Sequence, residues 1–261
     1  MFDLRGKRAL VCGSTQGIGR ATAELLAKQG AQLTLVARDE SALHAVHSLL
    51  DRSNNQSHDA IAADFRDPDA LRTKVQRWID SHGAVHILVN NTGGPSSGPI
   101  LNARPDEFLS AMTMHVLCNH ALVQTIVPSM RQAGFGRIIN IISTSVREPI
   151  PGLGVSNTTR WAVAAWAKTM ARELAPFGIT VNNVLPGFTS TSRLRELFKA
   201  RAEREGKPLE EVERATEATV PMGRFARPEE IAAAVAFLAS SEASYVTGIN
   251  LPVDGGRLSS M

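Results

Sequence analysis

The sequence predicts a doubly wound α/β fold, a single parallel sheet of about seven strands with helices on both faces. Three observations carry that expectation. Short apolar runs alternate with amphipathic stretches along the whole chain. The first run, Ala9-Leu10-Val11-Cys12, breaks at a turn containing three glycines and passes straight into a helical pattern. Gly13, Asp64, Asn91, Ser143 and Pro186 each stand just past an apolar run, where the strands of such a sheet end and ligands bind. Strand, helix and strand in alternation imply right-handed crossovers and a sheet covered on both sides.

The first turn is the most informative stretch. In Val11-Cys12-Gly13-Ser14-Thr15-Gln16-Gly17-Ile18-Gly19-Arg20 the spacing is Gly-x-x-x-Gly-x-Gly. Glycine lets a backbone approach a pyrophosphate with no Cβ in the way, and the helix behind it offers free N–H groups and a positive dipole end. Gly13, Ser14, Thr15, Gln16, Gly17, Ile18 and Gly19 are therefore the expected phosphate cradle. The plainer alternative is that the glycines serve only the turn.

Further along, residues 31–37 read as the second strand, 39–50 as a helix, and 59–63 as a third strand ending at Asp64. Asp67-Pro68 supplies an N-cap and an N1 proline for a helix to about Ser81. His86-Ile87-Leu88-Val89-Asn90 is a buried strand leading to the turn Asn91-Thr92-Gly93-Gly94-Pro95. One long helix is expected from Arg104 to the region of Met130, a fifth strand over 137–142, and a helix over 156–175 carrying Trp161 and Trp166. A sixth strand spans 179–185. Residues 189–218 mix both charge signs around a Gly206-Lys207-Pro208 break, the pattern of paired surface helices on a movable lid. Arg227-Pro228-Glu229-Glu230 opens the last helix, and 249–253 is the seventh strand.

Composition narrows the function. A chain of 261 residues with 43% hydrophobic content can bury one large core, so one domain over 1–261 is expected. With 28 basic and 25 acidic residues the net charge is only +3, which gives no reason to expect nucleic acid. Cys12 and Cys118 are the only cysteines; with no signal-peptide pattern and no membrane-length apolar stretch they point to a reducing, cytoplasmic setting without a membrane partner. No metal-ligand spacing occurs. The second strand ends Val36-Ala37-Arg38-Asp39, where a cation suits the 2′-phosphate of NADP (NADPH) better than the bare ribose of NAD. Against this, Arg38 can be a solvated loop residue and Asp39 a helix cap.

Taken together these signatures resemble the short-chain dehydrogenase/reductase family over nearly the whole chain, with its 3-oxoacyl-carrier-protein-reductase-like branch nearest in appearance. The residues that carry the resemblance are the Gly13 to Gly19 loop, Asp64, Asn90-Asn91-Thr92-Gly93, Ser143, Pro186-Gly187 with Thr189, and the ending from Tyr245-Val246-Thr247-Gly248 to Asp254-Gly255-Gly256. It implies a Rossmann-type sheet, a nicotinamide cofactor, hydride transfer between that cofactor and a carbonyl or alcohol substrate, and a homotetramer. It also implies cofactor contacts at Arg38, Asp64, Phe65, Asn91, Gly93, Arg160, Pro186, Gly187 and Thr189.

The family moves protons with Asn, Ser, Tyr and Lys, the last two spaced Tyr-x-x-x-Lys on one helix. Matched from Ser143, the place of the Tyr is Ser156, that of the Lys is Arg160 and that of the Asn is His115, so only Ser143 is retained. Ser143, Ser156, Arg160 and His115 are the candidate catalytic residues. Ser156 and Arg160 still share one helix face. An aliphatic hydroxyl is a far weaker acid than a phenol, and arginine holds its proton where lysine can pass one on. His115 titrates in the right range to replace the lost acid. The alternatives are a helix cap for Ser156, a structural cation for Arg160, a buried core histidine for His115 and, for the whole chain, a non-catalytic dinucleotide-binding sensor or scaffold.

Overall fold

The computed structural model of the chain describes residues 2–260. Strands β1 (Arg8–Cys12), β2 (Gln32–Ala37), β3 (Asp59–Ala62), β4 (Ile87–Asn90), β5 (Gly136–Ile141), β6 (Ile179–Pro186) and β7 (Asn250–Val253) form one sheet in the order β3-β2-β1-β4-β5-β6-β7. Every pairing is parallel. Central strands read Ala-Leu-Val or Ile-Leu-Val because both sheet faces are covered, so alternation gives way to continuous burial. The strand order reverses between β1 and β4, which opens a crevice beyond their carboxyl ends.

Helices α1 (Gly17–Lys28), α2 (Glu40–Leu49) and α9 (Pro228–Ala239) cover one face, burying Leu26, Leu43 and Ile231 in its core. On the other, α3 (Pro68–His82), α5 (Cys118–Ala133) and α6 (Gly154–Leu174) bury Leu71, Leu122 and Ala167. Asp67 accepts a hydrogen bond from the Ala70 N–H at 2.9 Å with Pro68 at the helix start, as the sequence predicts. No described helix is long and apolar enough to cross a membrane.

Two elements depart from expectation. The helix expected to run unbroken past Arg104 is α4 (Pro105–Met112), one π-helical turn over Thr113–Leu117, then α5. A π turn inserts an extra residue per turn and is invisible to a search for 3.6-residue periodicity. Helix α6 begins at Gly154, so Ser156 lies inside its first turn and is not the cap. The 189–218 segment does form paired helices, α7 (Ser192–Glu205) and α8 (Leu209–Glu217), joined where Gly206 turns left-handed at φ +64°. They pack on each other through Leu194, Phe198, Ala202 and Val212.

The sheet contains a feature the sequence reading missed. Asn90, Asn140, Asn183 and Asn250 stand in register on β4, β5, β6 and β7. Each donates its side-chain amide to the carbonyl oxygen of the next, at 2.8, 2.8 and 2.7 Å. Such a ladder gives partners to amide donors that burial would otherwise penalise, and it ties four neighbouring strands together across the sheet.

Candidate active site

Past the end of β1 the chain turns through Gly13 at φ +57° and Gly17 at φ +53°, conformations that a side chain resists. A Cβ on Gly19 would lie 2.1 Å from the Gly13 carbonyl oxygen, so glycine is required for α1 to pack against the end of β1. Asn91 clamps the same turn, donating to the carbonyls of Cys12 and Gly13 at 3.3 Å each. The first turn of α1 carries no acidic side chain and leaves its N–H groups to an anion. The open cradle, the free N–H groups and the absence of competing negative charge fit a dinucleotide pyrophosphate.

This turn forms one wall of a cleft of about 590 Å³. The cleft gathers most of the residues expected at the site: Thr15, Gln16, Gly17 and Ile18 beside Gly13; Arg38, Asp64 and Phe65 towards the outer strands; Asn91 and Gly93 after β4; Ser143, Ser156 and Arg160; and Pro186, Gly187 and Thr189 after β6. Ser14 and Gly19 do not reach it. Ser14 is fully buried behind the turn with its hydroxyl unpartnered, and Gly19 serves the packing just described. The segment leading into α7 meets the cradle itself, with Thr191 3.1 Å from where a Gly17 Cβ would stand and the Ser192 hydroxyl donating to Gln16 Oε1 at 3.2 Å.

At the outer end Arg38 is exposed and has no ion-pair partner among the described residues, whereas Asp39, which also lines the cleft, caps α2 by accepting from the Ala42 N–H at 2.9 Å. Asp64 is bound by Arg66 at 2.6 Å, and hydrogen bonds from that guanidinium hold its carboxyl below the usual range. The Phe65 ring packs in the core and its carbonyl accepts from the Cys118 thiol at 2.9 Å. Burial pushes both cysteine thiols up, Cys118 to about 12, so neither is a thiolate at neutral pH.

At the inner end Ser143 accepts the Ser145 N–H at 3.0 Å, which leaves its own proton to donate. Arg160 is buried one helical turn beyond Ser156, donates to the Ile141 carbonyl at 2.8 Å and meets no carboxylate within ion-pair distance among the described residues. Burial, with the nearby Arg193 charge, lowers its pKa to about 10, so it remains a guanidinium at neutral pH. The only tyrosine, Tyr245, is fully exposed and outside the cleft.

His115 is not brought to the cleft wall. It sits in the π turn, buried, with Nδ1 2.6 Å from the Thr92 hydroxyl and Nε2 unpartnered. Burial first, then the Arg160 charge, hold its pKa well below the ordinary imidazole value. A neutral imidazole behind Thr92 is a poor proton donor, and the structure favours the buried core histidine. Arg193 and Arg257 line the cleft and were missed because neither belongs to a local motif.

An enoyl-(acyl carrier protein) reductase family model matches residues 13–257. The 3-oxoacyl-[acyl-carrier-protein] reductase FabG of Vibrio cholerae is 36% identical over 257 residues, covering 98% of both chains. L-Sorbose reductase of Gluconobacter frateurii, solved with NADPH and L-sorbose, superposes with a TM-score of 0.92 at 32% identity over 100% of this chain and 99% of its own. An NAD+-bound xylitol dehydrogenase superposes at 0.91 with 27% identity, covering 97% and 99%. The cradle after β1, the serine after β5 and the match along almost the whole length agree: the chain belongs to the short-chain dehydrogenase/reductase family of oxidoreductases, on its 3-oxoacyl-carrier-protein-reductase-like side.

Proposed function

We propose that the protein is an NADP-dependent reductase or dehydrogenase that interconverts a carbonyl, a 3-oxoacyl thioester or other ketone, and its alcohol with acid–base groups that differ from the family's Asn, Tyr and Lys. The observation that carries this reading is one cleft that joins the Gly13 to Gly19 turn to Ser143, Ser156 and Arg160. A non-catalytic sensor or scaffold would need no such hydroxyl pair beside the cradle and is not favoured. Arg38, without an ion-pair partner among the described residues and beside an Asp39 engaged as a helix cap, supports NADP over NAD. The relatives point both ways, since the sorbose reductase carries NADPH and the xylitol dehydrogenase NAD+.

A bound nicotinamide supplies the hydride. Gly13 and the first turn of α1 would hold the pyrophosphate, and the Arg160 donors not used on the Ile141 carbonyl would reach ribose hydroxyls. Ser143 and Ser156 donate hydrogen bonds to the substrate oxygen, and the Arg160 charge steadies the negative charge that grows there. The proton that completes the alcohol enters from solvent through these hydroxyls. Helices α7 and α8 act as the lid over this end.

The exposed Leu109, Leu117 and Trp161 on α4, the π turn and α6 support assembly as a homotetramer. The low charge and the buried thiols suit the cytoplasm. NADPH oxidation over a panel of ketones, 3-oxoacyl thioesters and quinones, set beside a titration of NADPH fluorescence, tests the reading. Turnover with any carbonyl compound supports it; tight NADPH binding with no turnover of any substrate returns the protein to the sensor class.

A further inference from the structure

Beyond the cofactor cleft lies a second cavity of about 650 Å³. The two share Ile150, Leu153, Phe188, Leu194, Leu197 and Arg257, so one molecule can pass from one to the other along an apolar wall. We propose that Arg257 is a substrate-binding residue and that the physiological substrate is an oxoacid, its free carboxylate paired with this guanidinium and its apolar chain lying along Leu153, Leu194 and Leu197. The inference rests on the reductase reading above and names the substrate class for that site.

The arginines of this region are not equivalent. Arg160 is buried in the cofactor cleft and does not line the second cavity, Arg193 donates to the Pro95 carbonyl and faces Glu196 at 3.7 Å, and Arg201 is paired with Glu205 at 2.7 Å. Arg257 alone lines both cavities and has no carboxylate within ion-pair distance among the described residues. It is also pre-set. Its Nη1 donates to the Thr144 hydroxyl at 3.4 Å, and its plane lies over the Phe188 ring at 4.8 Å, itself packed against Phe198 and Phe225. A guanidinium held this way loses little freedom on binding and presents a planar fork that matches a carboxylate with two hydrogen bonds. The charge of the second cavity agrees, since Arg201, Arg204 and Arg257 face it against Glu205 alone. Thr144 directly follows Ser143, so the carboxylate end and the reacting carbonyl end are held by adjoining residues.

The test compares an acid with its uncharged amide on the protein saturated with NADPH. Hexanoate and hexanamide, neither of which can be reduced, are titrated calorimetrically against wild type, Arg257→Gln and Arg257→Lys, and 5-oxohexanoate is assayed beside its methyl ester. Hexanoate is expected to bind at least about tenfold more tightly than hexanamide, the scale of one charge-assisted pair. Arg257→Gln is expected to abolish that difference and Arg257→Lys to keep part of it, with melting temperatures showing the variants folded. Equal binding of acid and amide by wild type, a comparison that needs no variant, overturns the proposal, as does a preference that survives Arg257→Gln. Failure of the reductase reading is separate: an acid preference with no turnover of any ketone leaves the carboxylate site standing, and turnover without preference leaves the reaction standing and removes the site.

Discussion

A lone guanidinium at the tip of β2 is the residue on which cofactor choice turns. Arg38 forms no ion pair with a carboxylate among the described residues, and Asp39 is occupied as a cap. Wild type is expected to bind NADPH at least several-fold more tightly than NADH, and Arg38→Glu to reverse the order, because one charge-assisted pair with phosphate contributes on the order of 1.5–3 kcal/mol. Fluorescence titration with both cofactors checks this, and equal affinities unchanged by the substitution contradict it. Ser156 and Arg160 carry the second prediction of this scale. Restoring a phenol and an ammonium with Ser156→Tyr and Arg160→Lys together should raise kcat/KM for ketones by about 10²-fold or more, since positioned acid–base catalysis typically contributes ~10²–10⁴-fold. The adjacent Trp161 is half exposed, with its indole N–H on the Ser145 carbonyl at 3.0 Å, so a failed rescue counts against this account only where NADPH still binds and the fold is intact. Rapid turnover by wild type that His115→Ala abolishes and Ser156→Ala does not would place the proton on the imidazole and defeat this account.

Among the elements, β4, β5, β6 and β7 are tied across the sheet by the asparagine ladder. Asn140 is its centre, fully buried and bonded on both sides. Asn140→Ala strands the Asn90 donor and the Asn183 acceptor, and each unsatisfied buried group costs roughly 1–3 kcal/mol. A fall in melting temperature of about 5–10 °C is expected in a calorimetric scan; an unchanged transition would show that the ladder adds nothing. The π turn belongs to the same scale. It was not legible in the sequence because π and α turns share the same apolar residues, and what selects between them is how Met114 and His115 pack against the rest of the fold. Helix starts were legible where chemistry is local, as at Asp39 and Asp67, and misread at Ser156, where Leu153 occupies the cap position and no side chain caps the helix.

For the whole molecule, the exposed Leu109, Leu117 and Trp161 predict association, because an apolar face of that kind on a folded monomer is more stable when covered. Light scattering at micromolar concentration should report an oligomer, a tetramer on the family's pattern, and a monomer would refute it. The sequence by itself determined the parallel sheet, the order of its elements and the glycine cradle, since those follow from hydrophobic period and from backbone conformations that only particular residues adopt. Tertiary structure alone decided that Ser14 and His115 turn away from the cleft, that four asparagines far apart in the chain form one ladder, and that Arg257 meets Thr144 and Phe188 across 113 and 69 residues. Those contacts join residues from distant stretches whose meeting depends on how helices and strands settle together, and no local pattern of side chains encodes that distance.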